Sequence, residues 1–83
     1  MGTSFGIPVE TQIIRLFPDH KDAIALLFKL KNPDFKELVV DYLFCKREFD
    51  RFVKLNESEG ETHYKVLLEE LEMDLMEYLE SEI

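Results

Sequence analysis

The chain has 83 residues, 46% of them hydrophobic, and its ten Lys/Arg against eighteen Asp/Glu give a net charge of -8. That length makes one domain, 1-83, near the lower size at which a single core suffices, and seven Phe and three Tyr with only three each of Gly and Pro exclude disorder and a turn-rich β fold. The acidic balance disfavours nucleic acid and anionic membranes as partners, because both require clustered cations.

An N-terminal helical arm, 1-31, comes first. Its opening residues, 1-7, are Gly-rich and expected to be loosely held. They contain no basic stretch followed by a long apolar run, so no secretory signal is visible, and Gly6 stands where N-myristoylation at Gly2 expects Ser or Thr. Pro8 opens a short helix with Ile13, Leu16 and Phe17 on one side, and Pro18 interrupts it because proline disfavours helical geometry in the residue before it. The next stretch begins with Asp19 and Asp22, suited to the positive end of a helix dipole, and continues as a stripe through Ala23, Ile24, Leu27, Phe28 and Leu30. Its apolar run from Ala23 to Phe28 is six residues, the longest in the chain, against roughly 20 needed to span a bilayer.

Residues 32-83 read as a hairpin. Asn32 can cap a helix by accepting from a free backbone N-H, and Pro33 suits the first helical position. A long first arm then runs to about Leu55, with Phe35, Leu38, Tyr42, Cys45, Phe49 and Phe52 at spacings of 3, 4, 3, 4 and 3, a heptad seam. Asn56 to Gly60 make the turn, where Ser58 and Glu61 have capping-box spacing and Thr62 is a competing cap. In the second arm Tyr64, Leu68, Leu71, Leu75 and Tyr78 answer the first seam at spacings of 4, 3, 4 and 3. Two consecutive helices whose apolar stripes need each other predict an all-α fold built on an antiparallel, coiled-coil-like hairpin. The antiparallel return is expected to set Glu61 near Arg51 and Lys54, and Glu77, Glu80 and Glu82 near Lys29, Lys31 and Lys36.

The seams leave apolar surface uncovered. Val39, Val40, Leu43 and Phe44 point to flanking or opposite faces of the first arm, and Leu67, Met76, Leu79 and Ile83 form a supplementary stripe on the second. Such a surplus needs a cover. The arm can fold back and donate Ile13, Phe17, Ile24, Leu27 and Phe28, and a second chain can pair its hairpin with the first. Both are expected, a homodimer completing the bundle. The interface candidates are Val39, Leu43, Phe44, Leu67, Met76, Leu79 and Ile83.

Charge divides unevenly. Residues 1-56 carry nine Lys/Arg against eight Asp/Glu, whereas residues 57-83 carry Lys65 against ten acids. The second arm therefore presents an acidic face suited to a basic protein partner. Lys46, Arg47, Arg51 and Lys54 form a modest basic patch at the end of the first arm, the basis of an alternative role in association with nucleic acid.

No cluster demands a particular chemistry. A single cysteine forms no intramolecular disulfide and has no second thiolate for a metal site, which points to a reducing cytoplasm. Cys45 lies on the seam, where packing as a small hydrophobe is expected. His20 and His63 are 43 residues apart and read as surface or capping residues rather than zinc ligands, which need three or four groups at one point. Tyr42, Tyr64 and Tyr78 fall on seams as packing residues. Glu69, Glu70, Glu72, Asp74 and Glu77 read as a solvated face, since no Glu-x-x-His accompanies them as in a diiron bundle. No catalytic residue, cofactor or metal is assigned, and a soluble, non-enzymatic interaction module is expected.

The run "FPDHKDAI", then "NPDFKELVVDY", then a second arm ending in "DLMEYL" is similar to the YdcH-like family, small bacterial proteins of unknown function that form helical hairpins. Pro18, Pro33, Phe35, Leu38, Tyr42, Glu48 and Arg51 match the residue types of that pattern, and Phe49 and Phe52 occupy its aliphatic positions. The resemblance spans about residues 14-80 and implies a hairpin fold and self-association, with no catalytic residue or cofactor. Two departures matter. The family's second arm tends to be Lys/Arg-rich, whereas "KVLLEELEMDL" here is acidic, so no anion-facing role carries over to it; and Cys45 replaces an aliphatic residue.

Overall fold

The computed structural model describes residues 7-81, except the side chain of Ser81. The Gly-rich start up to residue 6, Glu82 and the interface candidate Ile83 lie outside the described residues. Among the described residues there are four α-helices and no strand: α1 (Val9–Leu16), α2 (Lys21–Lys29), α3 (Pro33–Leu55) and α4 (Ser58–Ser81), with a 3-10 turn (Pro18–His20) leading into α2. The fold is all-α.

Local chemistry accounts for each boundary. Pro8 precedes α1 in extended geometry, and Pro18 ends the helix at Leu16 and begins the 3-10 turn. α2 ends with Lys31 in left-handed geometry, φ 58°. The Lys31 and Asn32 amides donate to the Phe28 and Leu27 carbonyls, the two bonds of a Schellman motif. Asn32 then turns to the next helix, its Oδ1 accepting from the Phe35 amide at 3.1 Å, with Pro33 at the first position of α3. One asparagine thus closes α2 and opens α3.

α3 ends the same way. Asn56 adopts φ 58°, and the amides of Asn56 and Glu57 donate to the Val53 and Phe52 carbonyls. The connection is shorter than the predicted turn to Gly60: α4 starts at Ser58, and the Glu57 carbonyl already accepts from the Glu61 amide at 2.9 Å. Ser58 is inside the helix, so the predicted Ser58–Glu61 capping box does not form; Gly60 falls in the first turn.

Four ring pairs pin the packing. Near the start of α3, Phe35 meets Tyr78 from the last turns of α4 at 5.5 Å and Phe28 of α2 edge-on at 5.6 Å. Near its end, Phe52 stacks on Tyr64 of α4 at 5.7 Å and 19°. Phe17, just after α1, packs on Tyr42 at 5.6 Å.

The core sits at the end of α3 and α4 that the arm covers. Ile13 from α1 and Ala23, Ile24 and Leu27 from α2 close over Phe35, Val39, Tyr42, Leu75 and Leu79. At the far end no buried residue of the described arm joins the core, and Phe49, Phe52, Tyr64, Leu67 and Leu68 are only half-buried. Leu16, read on one side of α1 with Ile13 and Phe17, is instead 41% exposed, whereas Ile13 is buried.

The expected cross-hairpin ion pairs of Glu61, Glu77 and Glu80 are not made among the described residues, and Glu82 lies outside them. Among the described residues the two ion pairs are local to α3, Lys46–Asp50 at 3.3 Å and Arg51–Glu48 at 2.8 Å. Spacings of four and three residues on one helix bring these partners together without ordering a distant lysine, whereas Glu77 and Glu80 and the lysines at 29, 31 and 36 stay in water.

Candidate functional site

The surface outside the core divides by charge. Where α1 stops short, a cleft of about 540 Å³ opens between it and the second half of α3. Leu16 and Leu43 form its apolar part, and Arg15, Lys46, Arg47, Arg51, Lys54 and one acid, Asp50, surround them. Five cations against one acid give the cleft a formal +4 on a chain whose net charge is -8. Lys46 and Arg51 have ion-pair partners on their own helix, and Arg51 also lies over the Phe52 ring at 5.0 Å. Arg15, Arg47 and Lys54 make no ion pair among the described residues. A second hollow of about 300 Å³ adjoins the cleft, sharing Gln12 and Arg47 and lined by Val9, Val40, Leu43 and Phe44. Val40 and Phe44 are 43% and 49% exposed.

The opposite charge gathers on α4. Glu69, Glu72, Glu77 and Glu80 surround Met73 and Met76 along one exposed ridge, with an open hollow of about 580 Å³. Met73 is 70% exposed, the most exposed large apolar side chain among the described residues. A separate acidic face crosses from α3 to α4, where Asp34, Glu37, Asp41, Asp74 and Glu77 surround Leu38 and Tyr78.

Among the predicted interface residues, Val39 and Leu79 must be reassigned: both are fully buried in the chain's own core and unavailable to a second chain. The N-terminal arm covers that flank of α3 and α4, so it takes the surface that the hairpin pattern left open. Leu43, Leu67 and Met76 are half-buried, and Phe44 is open. Arg15, Gln12 and Met73 were not singled out by sequence reasoning, and Leu16 was read only as part of one side of α1. Met73 was detectable, since it stands three residues before Met76 with glutamates at helical spacing on either side. The part of α1 in the cleft was not, because it depends on how α1 crosses α3.

The remaining polar candidates do not converge. No group of three or more His, Cys, Asp or Glu side chains suited to a metal occurs among the described residues. His63 packs edge-on against Tyr64 at 5.1 Å. Cys45 is buried, which pushes its thiol pKa up, and Asp41 adds to the rise. Burial likewise raises Tyr42, with a smaller contribution from Glu72. No helix among the described residues is long and apolar enough to cross a membrane. No family model matches the chain, and neither a curated protein nor a solved structure matches it.

Proposed function

We propose that this chain is a non-enzymatic, cytoplasmic interaction module: an antiparallel α3–α4 hairpin, closed at one end by its own arm, that self-associates through helical faces and presents an acidic surface to basic protein partners. The observation that carries this reading is the exposed apolar band of Leu16, Val40 and Phe44 beside the cleft. Contiguous apolar surface of this kind marks a contact site. The half-buried rings Phe49, Phe52 and Tyr64 in the far half of α3 and α4 support the same reading, because no buried residue of the described arm packs over them. The kinship with YdcH-like proteins belongs to this proposal and agrees with a self-associating hairpin. Sedimentation at tens of micromolar tests the proposal: a dimer is expected, and a sharp monomer overturns it.

A second reading, association with nucleic acid, has one specific observation in its favour. Arg15 from α1 joins Lys46, Arg47, Arg51 and Lys54 in one cleft, a denser set of cations than α3 alone provides. Neutralising about four phosphates predicts a log-log salt slope near -3 for a single strand. Titration of a fluorescent oligonucleotide at several salt concentrations measures it, and the absence of salt-dependent binding removes this reading.

A further inference from the structure

We propose that the basic cleft between α1 and α3 receives the acidic, methionine-bearing ridge of α4 from a second copy of this chain, each copy giving its ridge to the other's cleft. This rests on the self-association proposed above and names its surfaces. The cleft has an apolar floor, Leu16 and Leu43, inside a rim of five cations and one acid, Asp50. The ridge has an exposed apolar group, Met73, with the half-buried Met76 beside it, among four glutamates. Each surface is what the other lacks, in the same order from centre to edge, as protein interfaces are built.

The competing acidic face fits less well. Around Asp34, Glu37, Asp41, Asp74 and Glu77 the apolar groups are Leu38 and Tyr78, half-buried between two helices. It offers charge without a protruding apolar group. Met73, 70% exposed, can enter a cleft, and an unbranched thioether adapts to an irregular floor.

Placement permits closure. The cleft borders the C-terminal half of α3 and the ridge lies on the C-terminal half of α4. Because Tyr78 lies against Phe35 and Tyr64 against Phe52, those two halves are at opposite ends of the long axis. A two-fold rotation that reverses this axis sets each cleft level with the partner's ridge along it, as a closed dimer with two equivalent contacts requires.

Charge reversal on each side tests the pairing. One variant carries Arg15→Glu with Arg47→Glu, two cations that make no ion pair among the described residues; the other carries Glu69→Lys with Glu80→Lys, both exposed. Each variant alone sets like charges against each other and should weaken the dimer by more than about 100-fold in Kd, while circular dichroism shows an unchanged helical fold. Mixed in equal amounts, the two should recover a heterodimer of near wild-type affinity, because both contacts again join opposite charges. A wild-type chain that sediments as a monomer overturns both this inference and the self-association beneath it. Variants that dimerise like the wild type, or that fail to recombine when mixed, overturn the inference alone. So does a cleft that binds a short single-stranded oligonucleotide through Arg15 and Arg47 while the dimer persists in both variants.

Discussion

Gly60 offers a sharp test of the packing between α3 and α4, because two ordinary rules oppose each other there. Alanine stabilises a helix relative to glycine by about 1 kcal/mol, so Gly60→Ala in the first turn of α4 should be favourable. The Phe52 ring forbids it. A Cβ at Gly60 would stand 2.5 Å from Cδ1 and 2.7 Å from both Cγ and Cε1 of that ring. Cγ is the ring's root, so swinging its far edge away does not relieve the clash. The ring must leave its rotamer, at about 0.5 to 1.5 kcal/mol, and its stack on Tyr64, worth about 0.5 to 1.5 kcal/mol. Against the helical gain, the net effect is a loss of about 1 kcal/mol, or roughly 4 to 8 °C in Tm for a domain of this size. In a Phe52→Ala background the obstacle is gone, and the same Gly60→Ala change should raise stability by about 1 kcal/mol. Urea unfolding followed by circular dichroism across the four-member cycle gives a coupling of about 2 kcal/mol. If Gly60→Ala stabilises the wild type as much as it stabilises the Phe52→Ala chain, the ring does not lie over Gly60 and the reasoning fails.

The chain makes further predictions at its caps, its buried hydroxyl and its open surface. Lys31 holds φ 58° with a side chain present; Lys31→Gly should gain about 1 kcal/mol by removing the left-handed penalty, and an unchanged or lower urea midpoint would contradict that geometry. Asn32→Ala should lose about 1 kcal/mol because the Phe35 amide loses its acceptor, measured the same way, with Asn32→Asp retaining most of the stability. Tyr42 keeps its proton to higher pH when folded than when unfolded. Above pH of about 10 the unfolded chain therefore binds fewer protons, so stability is fully present below that value and declines as pH rises. The Tyr42→Phe chain should show a shallower alkaline decline in urea midpoint than the wild type, and parallel curves would refute the shift. Phe44→Glu places a charge in the exposed apolar band and should abolish self-association while leaving the monomer's Tm nearly unchanged.

Seen from the residues, the helices themselves were legible. Pro18, Asn32 and Pro33 act within a turn or two of their own positions, so their effects need no tertiary partner, and α3 runs from Pro33 to Leu55 as its seam implied. The start of α4 stayed open within a few residues because Ser58, Glu61 and Thr62 all suit a helix start, while the Schellman bonds of Asn56 and Glu57 leave only those two residues between α3 and α4.

What the amino-acid sequence determined by itself was periodic and local: helix content, the apolar stripes, the Asn32 cap and the concentration of acid after residue 57. Which stripe became core was a tertiary decision. Val39 and Leu79 looked like surplus surface because a heptad count sees only two helices, and the folded arm buries them under Ile13, Ile24 and Leu27. The same arm brings Arg15 into one cleft with Arg47 and Lys54 of α3. No periodicity encodes that meeting, because it is set by the angle at which one helix crosses another.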